Sequence, residues 1–184
     1  MLYYGEQPSN CIVNHPYREK YAITDGGSHH YNAILRGVTM IRKATNRDVQ
    51  FILSKAKDSA NEGTLSKKAI SQEQAVQMAL FTLDQNGYYL VYEHVNREIT
   101  GWILLGENVD YITNSPHAFI YELYVLPEYR NLGIAKQLLQ AAVTDSKYRG
   151  FKEIRLNVFA SNFAKEIYHR IVFQDLQTIM YKKL

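Results

Sequence analysis

Apolar positions along this chain change their spacing several times after residue 37, and each change marks an element. Val38, Met40 and Ile41 give a short extended run, and Ala44-Thr45-Asn46 then hands over to a helical spacing in Val49, Ile52, Leu53 and Ala56, with Thr45 or Asn46 as the cap. Asn61-Glu62-Gly63 is polar and reads as a loop. A second helix begins at Ser71, with Glu73 in its first turn, Ala75, Met78, Ala79 and Leu83 along one face, and Asn86-Gly87 as its stop.

Beyond Gly87 the pattern turns to strands. Tyr88 to Val95 and Glu98 to Leu105 are rich in β-formers and flank Asn96-Arg97, which predicts an antiparallel hairpin. Thr113-Asn114-Ser115-Pro116 breaks the chain, Ala118 to Val125 reads as the next strand, and Pro127 ends it because proline has no N–H to give a ladder. Ile134, Leu138 and Ala142, with Ala135, Leu139 and Val143 beside them, predict a helix closed by Gly150, and Ile154 to Val158 reads as a fifth strand. Residues 1 to 37 follow neither period and read as an irregular extension. Tyr3, Tyr4, Tyr17, Tyr21 and Ile12-Val13 give it apolar surface with which to pack on the domain, and a disordered segment is the alternative.

Composition narrows the class. A chain of 184 residues is long enough for one sizeable core, so a single domain over 38–184 is expected. Its 46% hydrophobic and 21% charged residues are the balance of a soluble globular protein. The net charge of +3 is spread without a basic stripe, which argues against a nucleic-acid partner, and no run nears the ~20 apolar residues of a membrane span. Cys11 is the only cysteine and no leader pattern precedes it, so a cytoplasmic monomer or homodimer is expected. His29-His30 lacks ligand spacing, and no metal site is expected.

The candidate chemistry lies between the fourth strand and the following helix. Arg130-Asn131-Leu132-Gly133-Ile134-Ala135 brings a glycine loop to a helix start, where free N–H groups and the helix dipole favour an anion such as a pyrophosphate. Gly133 permits close approach, Ala135 adds little bulk, and Arg130 and Lys136 add positive charge. A plain strand–turn–helix would carry the same six residues. No glycine is followed by Lys-Ser or Lys-Thr, and no three glycines have dinucleotide spacing, which disfavours nucleoside triphosphates and NAD.

The longer run from Tyr121 to Ala135, with Val125-Leu126-Pro127-Glu128 before Arg130-Asn131-Leu132-Gly133-Ile134-Ala135, closely resembles the coenzyme motif of the GNAT superfamily of acyl-CoA-dependent N-acetyltransferases. Asn162-Phe163-Ala164-Lys165-Glu166-Ile167-Tyr168 is similar to that family's Asn-x-x-Ala-x-x-x-Tyr helix. The resemblance covers Val38 to Leu184 and includes a final strand through Thr178-Ile179-Met180-Tyr181-Lys182. It departs at Val172-Phe173, where the family has Gly-Phe; valine enters the left-handed region at a cost, so a different turn is expected there.

The resemblance implies an α/β fold with a mixed, mostly antiparallel sheet, helices on both faces, and fourth and fifth strands splayed around a pantetheine arm. It implies acetyl-CoA as co-substrate and a small-molecule or peptide amine as acceptor, attacked directly because no activated Cys or Ser-His pair is evident. Leu123, Tyr124 and Val125 would line the arm, Arg130, Asn131, Gly133, Ile134, Ala135 and Lys136 the pyrophosphate, and Asn162 the pantetheine amides. Tyr168 matches the position of the acid that protonates the departing thiolate; without the resemblance it reads as a half-buried helix tyrosine. An alkylammonium is neutral in only about one part in a thousand near pH 7, a penalty of roughly 4 kcal/mol, so a base is useful. Glu122 is the candidate, directly or through water, with a plain strand glutamate as the alternative. Glu62, Glu107, Asp110 and His117 fall in segments that in relatives often wall the acceptor site, which makes them candidates for attracting a cationic amine, with a solvated side chain as the alternative for each. A second class stays open: an acyl-CoA-binding sensor without turnover.

Overall fold

The structure is a computed structural model that describes residues 39–65 and 69–183. Cys11, His29-His30 and the extension over 1–37 lie outside the described residues. In chain order the elements are β1 (Met40–Lys43), α1 (Asn46–Ser54), α2 (Ala56–Gly63), α3 (Gln72–Asp84), β2 (Tyr88–Glu93), β3 (Ile99–Val109), β4 (Pro116–Val125), α4 (Ile134–Tyr148), β5 (Ile154–Leu156) and α5 (Ala164–Arg170). The five strands form one sheet in sequence order, antiparallel from β1 to β4, with β5 parallel beside β4. This is the mixed, mostly antiparallel α/β sheet expected from the sequence.

Helices cover both faces, so the central strands are apolar on both. Leu90, Tyr92, Ile103 and Leu105 pack with Ile134, Leu138 and Ala142 of α4, whereas Tyr89, Val91, Trp102 and Leu104 pack with Ile52 of α1. The two sets interleave with period two, as the strand pleat requires. Ile167, Tyr168, Ile171 and Phe173 join the α4 side. Thr45 and Ser71 begin α1 and α3 with capping boxes, pairing with Asp48 and Gln74.

Several expectations are corrected. Asn61-Glu62-Gly63 is not a loop but the end of α2, a helix that buries only Ala56 and Ser59 and therefore shows almost no apolar period. Met78 points outward at 59% exposure, and Thr82 joins Ala75 and Ala79 on the buried face of α3 instead. β3 runs on to Val109 and β4 starts at Pro116, so the hairpin between them is longer than its apolar stretches. The fifth strand stops at Leu156. Thr178 to Lys182 forms no strand: the chain from 174 to 183 has no regular structure, and Leu176, Ile179, Met180 and Tyr181 are 68–89% exposed. Ladder bonds need a partner edge, and β5 offers only three residues.

Candidate functional site

β4 and β5 pair from Ala118–Ile154 to Ile120–Leu156 and then part. The cause lies on the other side of β4. Glu122 stands opposite Leu104 while Ile120 stands opposite Leu105, so Tyr121 is an extra residue, and such a bulge bends the strand that carries it. Beyond the bulge, Leu126 N donates to Thr100 O at 2.9 Å, which makes Thr100 and Leu126 a bonded pair. By the alternation of an antiparallel ladder, Tyr124–Trp102 and Glu122–Leu104 are bonded pairs too, and Leu123 and Val125 turn their N–H and C=O groups away from β3. They face the opening where β5 has ended. Tyr124 spends its main chain on β3, and its ring is buried on the opposite face from Leu123 and Val125, 5.0 Å from Trp102 between centroids.

A short 3-10 turn over Pro127–Tyr129 leads from β4 into the loop. Asn131 and Gly133 take left-handed φ values of 63° and 76°, a conformation that favours glycine at the second position. Gly133 is the N-cap of α4 and brings no side chain to its amides; a Cβ built on it would meet nothing within 4 Å. The first helical bond runs from Gln137 N to Gly133 O at 3.1 Å. The amides of Ile134, Ala135 and Lys136 therefore have no acceptor among the described residues, in contrast to the capped starts of α1 and α3. The dipole of a 15-residue helix ends at this point, and the space above Gly133 is open, an arrangement that favours an anion. Gly101 supports the arrangement from below, since a Cβ there would press on Tyr124 O at 3.0 Å and the Ile134 side chain at 3.1 Å.

Arg130 and Lys136 are exposed at the mouth of the loop, as are Asn131 and Gly133, while Ile134 turns its side chain into the core. The Arg130 guanidinium donates from Nε to Val125 O at 3.1 Å and from Nη2 to Glu62 Oε2 at 2.6 Å, and it lies 5.6 Å from the Tyr124 ring centroid.

Glu122 lies on the opposite face of β4, under α2. Ser59 Oγ donates to Oε1 at 2.7 Å, Trp102 Nε1 to Oε1 at 2.6 Å, and Tyr89 OH to Oε2 at 2.9 Å. A carboxylate can accept from all three at once, and each donor needs an acceptor where it is buried. Burial, and then the adjacent Glu122 charge, push the Tyr89 phenol far above its ordinary pKa, so Tyr89 stays a donor. None of these three partners was legible in the sequence, because Ser59, Tyr89 and Trp102 meet only through the sheet register and the seat of α2.

Tyr168 is half-buried on the α4 side, packed with the cluster that also holds Leu123 and Val125. Burial raises its phenol pKa. Asn162 Oδ1 accepts from Ala164 N at 2.9 Å, so its oxygen starts α5 and its amide nitrogen is the half left for another carbonyl. The turn after α5 corrects an expectation. Val172 does adopt the left-handed conformation, at φ 71°, and Phe173 N donates to Tyr168 O at 3.1 Å while Val172 N donates to His169 O at 3.0 Å. The helix ends in the same two-bond turn that Gly150 makes after α4.

Of the four suggested wall residues, Asp110 is committed elsewhere. It pairs with Arg155 of β5 and accepts from the Ile112 and Thr113 amides, and the Arg155 bond holds its carboxyl well below the usual range. His117 is buried among strand residues, Glu107 is exposed, and Glu62 is held by Arg130. Among the described residues no group of three or more His, Cys, Asp or Glu could hold a metal, and no helix is long and apolar enough to cross a membrane.

This mixed, mostly antiparallel sheet with helices on both faces is a fold shared with solved acetyltransferases. The chain is similar to a putative acetyl transferase from Pyrococcus furiosus, with a TM-score of 0.68 and 22% identity over 80% of this chain and all (100%) of that one. It is similar also to an aminoglycoside N-acetyltransferase solved in complex with CoA, at a TM-score of 0.60 and 16% identity over 80% and 95% of the two chains. YycN of Bacillus subtilis (strain 168), named an uncharacterized N-acetyltransferase, is 33% identical over 89 residues, which are 48% of this chain and 56% of that protein. The match thus spans little more than half of the curated relative. The model of the acetyltransferase (GNAT) family matches residues 53–171, and the chain belongs to that family.

Proposed function

We propose that this chain transfers the acetyl group of acetyl-CoA to a primary amine by direct attack in a ternary complex. The observation that carries the reading is a pair of surfaces at one opening: the main chain of Leu123 and Val125, which faces the gap with only Val125 O taken, by Arg130, and the acceptor-free amides of Ile134, Ala135 and Lys136. The first suits an extended chain of amides such as pantetheine, and the second suits its pyrophosphate.

In this reading the diphosphate lies over Gly133 against the α4 amides, with Arg130, Asn131 and Lys136 around it, and Asn162 holds a pantetheine carbonyl. The Val125 N–H stabilises negative charge as it grows on the thioester oxygen. The amine nitrogen forms a bond to the acyl carbon and gives up a proton to Glu122, directly or through water. The C–S bond then breaks, and the thiolate takes a proton from the Tyr168 hydroxyl. Tyr168 is suited to this by burial, which raises its pKa and keeps it protonated.

Initial-rate kinetics with a panel of amines test the proposal, with thiol release as the signal. Intersecting lines are expected. A stable acetylated protein formed from acetyl-CoA alone would rule out direct attack, and coenzyme binding without thiol release for any amine would favour the sensor.

A further inference from the structure

Arg130 is held by a carboxylate of its own chain. Its Nη2 donates to Glu62 Oε2 at 2.6 Å, and the two side chains are 38% and 44% exposed. Glu62 stands in the last turn of α2, and Ser59, three residues earlier and so on the same side of the helix, donates to Glu122. One short helix therefore grips an arginine of the coenzyme loop and the carboxylate proposed as the base.

We infer that Glu62 is a gate: its carboxylate occupies Arg130 in the free protein, and the coenzyme's pyrophosphate displaces it. The inference rests on the coenzyme reading above. A guanidinium fork matches a carboxylate and a phosphate alike, so the two compete for the same donors. The pyrophosphate wins because it carries more charge and also meets the free α4 amides. The contest is mild, since an ion pair this exposed is weak. Once released, Glu62 stands with Asp58 one turn back on α2. Both already act on the Tyr124 phenol, and neither is then neutralised by Arg130. That side of α2 then presents two carboxylates without the Arg130 charge beside them, which attracts an alkylammonium.

Calorimetric titration with coenzyme A tests the gate on four proteins: the unmodified chain, Glu62→Gln, Arg130→Gln and the double variant. The acceptor-free α4 amides are untouched in Arg130→Gln, so binding persists there. Glu62→Gln is expected to bind coenzyme A about two- to fivefold tighter, the range set by an exposed ion pair, and to lose most of that gain in the Arg130→Gln background. Asp58→Asn removes the same charge without touching the pair and is expected to gain less. Unchanged or weaker binding by Glu62→Gln overturns the gate, as does an equal gain in both backgrounds, which would reduce Glu62 to a general field effect. If the unmodified chain binds no coenzyme A, the coenzyme reading fails and the gate falls with it. Binding by the unmodified chain with no gain in Glu62→Gln removes the gate alone.

Discussion

Phe173 closes α5 by donating its N–H to the carbonyl of Tyr168 at 3.1 Å, across a valine held at φ 71°. The rings of the same two residues lie 6.1 Å apart, which is the apolar contact that accompanies such a helix end. Val172 itself is 81% exposed, so packing does not repay its conformation.

Val172→Gly is therefore expected to stabilise the protein. Relief of the left-handed β-branched residue is worth ~1–2 kcal/mol, and the extra freedom of glycine in the unfolded chain removes roughly half of that. A net gain of about 1 kcal/mol would raise Tm by about 2–4 °C in a scanning calorimeter, while Tm at or below the starting value would mean that the turn is not strained.

Gly133 separates two effects in one position. Gly133→Ala meets no neighbouring atom, so its cost is the backbone strain of φ 76°, about 1 kcal/mol of stability. Gly133→Glu has the same strain and adds a carboxylate over the α4 amides. It is expected to abolish the thermal shift given by coenzyme A, whereas Gly133→Ala keeps part of it. A full shift in both variants would put the pyrophosphate elsewhere.

Tyr168→Phe is expected to lower kcat about 100-fold or more and leave the Kd for coenzyme A nearly unchanged, the signature of a lost acid. Because burial raises the phenol above its usual 10, the protonated form persists through neutral pH. The rate of the unmodified enzyme should show no loss from phenol ionisation below about pH 10. An alkaline limb near pH 8 that disappears in Tyr168→Phe would contradict this assignment.

Tyr89→Phe removes one of the donors to Glu122 and should cost about 1–2 kcal/mol of stability, measured by urea unfolding near pH 7. The sign of the pH dependence follows from the raised pKa of Tyr89. Its contribution is complete below the unfolded value of about 10 and is lost as pH climbs beyond it. Stability of the unmodified protein should fall above pH 10, and less steeply in the variant. Tyr88 retains part of the slope, since burial and Asp145 raise its phenol in the same direction.

Much of this was legible in residue order. The places of the first five strands, the end of β4 before Pro127, the capped starts at Thr45 and Ser71, and the glycine loop before α4 are local features. What misled was equally local: α2 was hidden because it buries only two side chains, and Thr178 to Lys182 has strand-forming residues but no edge to pair with. The Glu122 partners left no sequence signal, since Ser59, Tyr89 and Trp102 are scattered over the chain and converge only in the folded sheet.

Sequence by itself determined the family motif, the periods of the helices and strands, and a helix start without a capping side chain, because each depends on neighbours a few residues apart. Tertiary structure alone decided that a bulge at Tyr121 turns Leu123 and Val125 toward an open edge, and that Glu62 reaches Arg130 across 68 positions of chain. Register and long-range ion pairs arise from the packing of whole elements, which no short window of residues encodes.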